Sequence, residues 1–266
     1  MSSPFFFVGL ITTAPVQFQS DCNELWERKV DAYSKDREVI DRATGKGAKQ
    51  AYDIYEPEWH CERESRVGSN GGLEFGDGPK WICGVEELSK MQNCLVYSIG
   101  SNYDFRFERG IQSHANCEIH TFDGTMNLFK RPLPKDLHNI NFHNWNMAEK
   151  QSVFPSKSIR NTIKTLGHHN KNINIFKIDC EGCEHEILPQ LMDIVRTGDI
   201  KVGQILVEMH GRDVSAIANT FKSMRSNDMM IFHKERNHWG CEGWKCVEFS
   251  LVSMSWAKRA FMDSHC

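Results

Sequence analysis

The chain has 266 residues, of which 40% are hydrophobic and 25% are charged, and this composition excludes a disordered or fibrous protein. The formal net charge is -3 at pH 7 and no basic run is dense enough to track phosphates, which argues against a nucleic-acid partner. No stretch of the chain approaches the roughly 18–20 consecutive apolar residues that a membrane-spanning helix needs.

The first 90 residues differ in composition and hydrophobic pattern from the remainder of the chain. Glycine and charged residues are dense between Thr44 and Gly78 and the apolar pattern there is poor, although residues 30–43 are predicted to form one charged helix. A linker would not retain the aromatic residues of this segment, which are Tyr52, Tyr55, Trp59, Phe75 and Trp81. We therefore predict that residues 1–90 form an N-terminal extension that covers a main domain at residues 91–266.

Short apolar runs, separated by polar or helix-like sequence, follow in the main domain. They are rich in Val, Ile and Phe, which is typical of buried parallel strands joined by crossovers. The predicted strands cover residues 95–99, 118–122, 173–178 and 202–207, with a weaker strand over residues 139–145. Residues 184–196 and 214–224 have the apolar spacing of amphipathic helices.

The C-terminal part of the chain predicts two antiparallel strands, at residues 229–233 and 247–253, which flank a loop rich in Gly, Cys and Trp. Parallel β/α units that end in an antiparallel pair predict an α/β fold. The expected architecture is a doubly wound sheet with one reversed strand at its edge. In such a sheet ligands bind at the carboxyl ends of the strands, so the residues that leave each strand are the candidate site residues.

The turn after the first strand offers small and permissive residues. Gly100 permits close approach of the backbone to a ligand, and Ser98 and Ser101 leave room and offer hydroxyls. Asn102 stands where the Gly-x-Gly-x-x-Gly fingerprint has its second glycine, so a dinucleotide pyrophosphate is disfavoured. An ordinary strand-to-helix turn is the structural alternative.

The second strand and the weaker strand add groups suited to a nucleoside. Asp123, followed by Gly124, falls about twenty residues after the first turn, where a carboxylate can accept hydrogen bonds from both hydroxyls of a ribose. The alternative is that Asp123 only begins the next turn. Asn146 and Met147 provide an amide and an apolar side chain of the kind that holds an adenine ring. Together these strand ends favour a ligand that contains a nucleoside.

Acidic residues cluster after the strand at residues 173–178. Glu184 and Glu186 lie in the first turn of the next helix, where the helix dipole explains them structurally. Asp179 and Glu181 precede that helix, at the expected active edge, so the dipole does not explain them. These two carboxylates are therefore candidate functional groups.

The following strand brings Glu208 and His210 to the same edge. A carboxylate beside a histidine can poise a general base near neutral pH, so Asp179, Glu181 and His210 are the candidate catalytic residues. Asp179, Glu208 and His210 could equally hold a divalent cation. A plain structural pairing is the third alternative, and the sequence leaves all three open.

Ten cysteines are many for a cytosolic protein of this size, and an even number is compatible with an oxidising compartment such as the secretory pathway, with the cytosol as the alternative. Cys61 and Cys83 flank the glycine-rich part of the extension, and Cys241 and Cys246 lie in the loop of the C-terminal hairpin. We predict that each pair forms a disulfide. A zinc ribbon or finger is disfavoured, because the close cysteine pairs near residues 180 and 241 are too far apart in the chain.

The order of these motifs resembles that of class I S-adenosylmethionine-dependent methyltransferases, and is closest to the FkbM-type enzymes and the animal methyltransferase-like proteins. The most specific piece is the Asp-x-Glu-Gly-x-Glu signature, which residues 179–184 match. Residues 97–102 occupy the place of the glycine-rich first motif and residues 121–123 that of the acidic ribose-binding motif. Residues 208–210 and the closing hairpin also fit, and residues 59–83 resemble the sequence that precedes the domain in the animal proteins.

The resemblance implies a Rossmann-like fold with a mostly parallel seven-stranded sheet, S-adenosyl-L-methionine as cofactor, and methyl transfer to an oxygen of a small molecule or glycan, with a nitrogen acceptor as the weaker option. The catalytic candidates remain Asp179, Glu181 and His210. The cofactor-binding residues that we predict on this basis are Ser98, Gly100, Ser101, Asn102, Asp123, Gly124, Asn146, Met147 and Asp179.

The sequence departs from the pattern of class I methyltransferases at two positions. Many of these enzymes carry an acidic residue where this chain has Ser98, and a second glycine where it has Asn102. The rival hypothesis from another class is therefore a binding or scaffold protein that keeps the fold without turnover. A nicotinamide oxidoreductase ranks third, because the glycines that bind a pyrophosphate are missing.

Overall fold

A seven-stranded sheet with helices on both faces forms the centre of the protein. The computed structural model describes residues 51–69, 76–137, 139–149, 153–211 and 213–261. The charged helix predicted over residues 30–43 lies outside these ranges, as do Phe75, Cys22 and Cys266. None of the described helices is long and apolar enough to cross a membrane.

Every strand and helix predicted for the main domain is present, with ends shifted by up to a few residues, and the structure adds helices and short strands that were not predicted. In chain order the described elements are β1 (Glu64–Val67), β2 (Lys80–Cys83), α1 (Val85–Leu88), β3 (Leu95–Ile99), α2 (Arg106–His114), β4 (Glu118–Phe122), β5 (Ile140–His143), β6 (Asn146–Met147), β7 (Ser156–Lys157), α3 (Ile159–Leu166), β8 (Asn172–Ile178), α4 (Glu184–Thr197), β9 (Lys201–His210), α5 (Val214–Arg225), β10 (Met229–Arg236), β11 (Cys246–Ser253) and α6 (Met254–Phe261).

The central sheet has the strand order β10-β11-β9-β8-β3-β4-β5. β11 runs antiparallel to both of its neighbours, and the other paired strands of this sheet run parallel. The doubly wound, mostly parallel α/β fold with an antiparallel C-terminal hairpin is thus confirmed. The expected place of the reversed strand is wrong: β11 lies between β9 and β10, so that β10 is the edge strand. All the residues of β11 are buried, which suits an interior strand covered on both faces.

Both faces of the sheet are covered because its strands carry apolar residues at successive positions. In β3, Leu95, Tyr97 and Ile99 point to the face that packs against α3, α4 and α5, whereas Val96 points to the opposite face. That second face is covered by α1, α2, β1 and β2 and, near β10 and β11, by α6. The helical and extended layers on the two sides leave the carboxyl ends of the parallel strands at one common edge.

The described part of the N-terminal extension packs against both faces of the sheet. Tyr55 stacks on Phe221 of α5, with ring centroids 3.8 Å apart. The backbone amides of Glu58 and Trp59 donate to the carbonyl oxygen of Ile231 in β10, at 2.7 and 3.2 Å, so the chain runs along the edge strand between the two faces. The division of the chain into two parts at residue 90 stays a prediction.

Four disulfides lie within the described residues. They join Cys61 to Cys83, Cys94 to Cys117, Cys180 to Cys183, and Cys241 to Cys246. Both predicted pairs are therefore present. The cysteines that a zinc ribbon would require are bonded to one another, which leaves no thiolate among them to bind a metal.

Candidate active site at the carboxyl edge of the sheet

The turn after β3 packs directly against the loop that follows β8. Gly100 has a φ of 77°, and a Cβ at this position would lie 1.7 Å from the carbonyl oxygen of Asp179. Only glycine permits this approach. The amide of Asp179 also donates to the carbonyl oxygen of Ile99 at 3.0 Å. The fold thereby brings two of the predicted site loops into contact.

Asp123 follows β4 and binds the turn after β3. Its Oδ2 accepts hydrogen bonds from the backbone amides of Ser101 (3.1 Å) and Asn102 (2.8 Å). Its Oδ1 accepts from the amide (2.9 Å) and the hydroxyl (2.6 Å) of Thr125. A carboxylate has about four acceptor positions, so these bonds occupy them. A ribose hydroxyl at Asp123 would have to replace one of these bonds, and the hydroxyl of Thr125 is the donor that can rotate away.

Ser98 lies beneath the turn and not at the ligand edge. It is fully buried on β3, beside the buried carboxyl group of Glu108 from α2. Burial raises the pKa of Glu108, while the charge of Lys177 and the hydroxyl of Ser98 oppose that rise. Lys177 donates to the carbonyl oxygens of Ile99 (3.3 Å) and Gly100. Ser98 thus belongs to a cluster of buried polar side chains under the turn. Its complete burial does not match the predicted contact of Ser98 with a cofactor.

Gly124 and Asn146 bind each other, whereas Met147 belongs to the core. Oδ1 of Asn146 accepts from the amide of Gly124 at 2.8 Å. A Cβ on Gly124 would lie 2.7 Å from the backbone nitrogen of Asn146 and from the carbonyl oxygen of Pro155, so this position also requires glycine. Met147 is 1% exposed and packs in the main core. An adenine contact of Met147 does not match its burial, and that of Asn146 stays a prediction.

The loop between β8 and α4 carries the acids of the signature. Glu181 and Gly182 have positive φ values of 57° and 113°, which turn the chain sharply before α4. Glu184 is fully buried, and its Oε2 accepts from the amide of Gly182 at 2.9 Å. Its Oε1 lies 2.6 Å from the amide nitrogen and 3.1 Å from Nδ1 of His210. Glu184 was not among the predicted site residues, because its position in the first turn of a helix already had a local explanation.

His210 ends β9 with one ring nitrogen held and the other facing the loop. Nδ1 is bonded to Glu184, and Nε2 lies 3.5 Å from Oε2 of the exposed Glu181. Burial lowers the pKa of His210, but the hydrogen bond and charge of Glu184, with the charges of Glu208 and Asp179, raise it to about 9. At neutral pH the imidazole is therefore protonated, and it becomes a proton acceptor as the pH approaches that pKa.

A buried lysine from the N-terminal extension completes the site. Lys80 lies on β2 and is 2% exposed. Its Nζ is 3.3 Å from Oδ2 of Asp179 and 3.7 Å from Oε2 of Glu208, and it also contacts Oε1 of Glu248. Asp179 and Glu208 thus converge on an ammonium group. Lys80 was not among the predicted site residues, because lysines are mostly exposed and no neighbouring sequence pattern signals its burial.

The three carboxylates and the ammonium group set one another's charge. Burial lowers the pKa of Lys80, but the carboxylates raise it more, so it stays above the usual range of a lysine. Burial raises the pKa of Asp179, but neighbouring cations, Lys80 foremost, hold it well below the usual range. Burial and the charges of Glu248 and Asp179 raise the pKa of Glu208 to about 8. At neutral pH this cluster therefore contains an ionised Asp179 and a charged Lys80, and the raised pKa of Glu208 brings its titration close to neutral pH.

A metal bound at this edge would have to compete with that ammonium group. Candidate ligand atoms of Glu208 and His210 lie within 4.8 Å of each other and of the sulfur atoms of Cys241 and Cys246. These two cysteines form the disulfide of the hairpin loop, so they offer no thiolate to a metal. Asp179, Glu208 and His210 do not together form a group of that compactness among the described residues. The cation that Asp179 and Glu208 contact is Lys80.

A family model described as a methyltransferase domain matches residues 16–253 of the chain. No protein with a curated description matches it. The chain is similar to the 1,6-didemethyltoxoflavin-N1-methyltransferase of Burkholderia thailandensis with bound S-adenosylhomocysteine, at 10% identity and a TM-score of 0.38 over 93% of this chain and 98% of that one. It is also similar to spermidine synthase of Thermotoga maritima, at 8% identity and a TM-score of 0.40 over 71% of this chain and 72% of that one.

The fibrillarin/Nop5p complex is a further similar structure, at 12% identity and a TM-score of 0.42 over 71% of this chain and 92% of that one. Similarities this low say nothing about the acceptor. The family match does not separate the FkbM-type enzymes from other members, so that finer assignment stays a prediction.

Proposed function

The chain belongs to the methyltransferase-domain family, and we propose that it methylates a hydroxyl oxygen of a small molecule or glycan. The family match supports the enzyme class and S-adenosylmethionine as its cofactor. The pairing of Glu184 with His210 is the observation that carries the oxygen acceptor, because a hydroxyl must lose its proton when it is methylated. A buried carboxylate that holds one imidazole nitrogen leaves the other to accept that proton.

The ionised carboxylate of Asp179 suits a cationic cofactor. S-adenosylmethionine supplies a methyl group on a positively charged sulfur, open to in-line displacement by a well-positioned acceptor. Asp179 is ionised and its side chain is 23% exposed, so it offers negative charge at the edge of the sheet. We assign cofactor binding to Asp179, the turn at Gly100, Asp123 and Asn146, with the backbone of the neighbouring residues in each loop.

His210 is the general base in this proposal. Its Nε2 takes the proton of the acceptor hydroxyl, and Glu184 stabilises the resulting imidazolium through Nδ1. Asp179 suits the role of base less well, because a carboxylate with a lowered pKa is a weak proton acceptor. Glu181, exposed beside Nε2, is assigned to contact the acceptor.

Calorimetry and a methyl-transfer assay test this proposal. The full chain is titrated with S-adenosylmethionine and S-adenosylhomocysteine, and we expect micromolar binding of both. The protein is then incubated with donor labelled at the methyl group and a panel of hydroxylated small molecules and glycans, and mass spectrometry locates the label in the product. We expect a methyl ether.

The variant His210→Gln tests the base directly. It should lower turnover by about a hundredfold or more and leave cofactor affinity nearly unchanged. The exposed His114 gives a matched control, since His114→Gln should change neither quantity. A label on nitrogen in the product would contradict the oxygen acceptor. The absence of heat with both cofactor forms would contradict the enzyme and favour the scaffold protein.

A further inference from the structure

The amino end of β4 carries a second group of side chains, which the proposed methyl transfer does not use. Glu118 and His120 are two residues apart on this strand, so they point to the same face of the sheet. His168 follows Gly167, the left-handed residue that ends α3, and reaches the same place. Candidate ligand atoms of Glu118, His120 and His168 all lie within 4.8 Å of one another.

The distances within this group suit a small divalent ion. Oε1 of Glu118 is 2.9 Å from Nε2 of His120 and 3.3 Å from Nε2 of His168. Ligand atoms around a tetrahedral zinc ion, each about 2.0–2.1 Å from the metal, are about 3.3 Å apart. The two distances from the carboxylate oxygen are within a few tenths of an ångström of this spacing, and candidate ligand atoms of the two imidazoles lie within 4.8 Å of each other.

Each imidazole is also held at its other nitrogen. Nδ1 of His120 is 2.8 Å from Nε2 of His143, and Nδ1 of His168 is 2.7 Å from the hydroxyl of Tyr97. Metal-binding histidines commonly have such a hydrogen-bond partner, which fixes the orientation of the ring and the nitrogen that faces the metal. The arrangement thus contains both the ligands and the groups that orient them.

Burial and charge around the group leave one open side. His120 and His168 are buried, whereas the side chain of Glu118 is 45% exposed and gives access from solvent. Lys171 is the competing cation, with its Nζ 3.4 Å from Oε2 of Glu118. This contact uses the second oxygen of the carboxylate and leaves Oε1 to face the two imidazoles.

We propose that Glu118, His120 and His168 bind one divalent transition-metal ion of the zinc type, with water as a fourth ligand. Two imidazoles and one carboxylate are a ligand set that suits zinc. Glu118 and Asp123 are five positions apart along β4 and its end, a length of about 16 Å, so the metal site is distinct from the proposed methyl-transfer site. Its role is structural: the ion ties the end of α3 to the start of β4.

Zinc and cobalt binding to the tag-free full chain test this inference. Protein dialysed against chelator and then against buffer is equilibrated with Zn²⁺ held at micromolar free concentration, and the bound metal is counted. Co²⁺ is added in a parallel experiment, and its visible absorption reports the coordination number. We expect one bound ion per chain and the intense bands of four-coordinate Co²⁺.

Variants identify the ligands independently of methyl transfer. Glu118→Gln and His168→Gln should each weaken zinc binding by about tenfold or more, whereas His169→Gln, at the adjacent exposed position, should bind as the unchanged protein does. Glu118 is partly exposed, so its variant keeps the test valid even if His168→Gln fails to fold, and circular dichroism checks this. Failure of the unchanged protein to bind zinc, or full binding by folded Glu118→Gln, would overturn the inference.

Discussion

At the scale of single residues, Glu184 sets the protonation state of His210, and this predicts how activity depends on pH. With a pKa of about 9, the fraction of His210 that can act as a base rises about tenfold per pH unit below that value. We expect kcat/KM to rise with pH and to level off near pH 9. Initial rates measured across this range with a fixed acceptor check the prediction.

Stability must be followed in the same experiment, because it changes in the opposite direction. The pKa of His210 is raised from 6.5 to about 9 by folding, so its contribution to stability is complete below pH 6.5 and is lost as the pH rises through about 9. Thermal melting at each pH separates loss of fold from loss of rate. Glu184→Gln removes the charge that raises the pKa and should move the inflection to lower pH, whereas Glu186→Gln in the same helical turn should leave it unchanged. An unmoved inflection in Glu184→Gln would assign the titration to another group.

Asp123 has two candidate roles at this scale, and paired variants separate them. If it binds the ribose, Asp123→Ala should weaken S-adenosylmethionine binding by about 2–4 kcal/mol, the scale of a charge-assisted bidentate contact. Thr125→Val removes the hydroxyl that occupies Oδ1, so it should leave affinity equal or tighter. Calorimetric titration measures both. Equal losses in the two variants would show that Asp123 acts by ordering the turn.

At the scale of elements, the short strand β2 contributes Lys80 to the candidate site. Among the residues that the structure describes, Lys80 is the only cation in contact with both Asp179 and Glu208. A buried lysine among carboxylates neutralises charges that would otherwise repel one another in a poorly solvated place. The strand is also tied to β9, since the side chain of Gln204 bonds both backbone groups of Cys83, at 2.9 and 2.8 Å. The extension thus contributes a side chain to the candidate site and backbone contacts to the core beneath it.

Removal of this lysine should be strongly destabilising. Lys80→Met leaves buried carboxylates without their counter-ion, and we expect a loss of about 3–5 kcal/mol in the free energy of unfolding. Urea denaturation measures this loss. Lys90→Met is the matched control, because Lys90 is 68% exposed and exposed ion pairs contribute only about 0–1 kcal/mol. Equal stability of the two variants would contradict the proposed role of Lys80.

At the scale of the whole molecule, local patterns predicted the strands well. β3 and β4 begin and end where their apolar runs meet turn-forming residues, so both were located from the sequence with their observed bounds. The position of β11 within the sheet could not be located from the sequence, because periodicity shows that a strand is buried but not which strands lie beside it. Insertion of the last strand between β9 and β10 is a long-range pairing that no local pattern contains.

The site was predicted in part for the same reason. Gly100, Asp123 and Asp179 follow strands and could be found by position. Lys80 is 99 residues from Asp179 in the chain, and only the packing of the extension against the sheet brings them together. Glu184 was overlooked although it lies inside the signature, because a local effect of the helix dipole sufficed to explain an acid there.

The role of the extension leads to a prediction about fragments of the chain. A fragment of residues 91–266 lacks Lys80 and also lacks Cys83, whose backbone binds the side chain of Gln204. It further lacks apolar side chains that cover one face of the sheet. We expect this fragment to show no cooperative unfolding transition and no binding of S-adenosylmethionine. A fragment of residues 51–266 keeps these contacts and should unfold cooperatively in urea, with cofactor binding retained. Cooperative unfolding of the shorter fragment, with cofactor affinity equal to that of the longer one, would show that the extension is a dispensable cover.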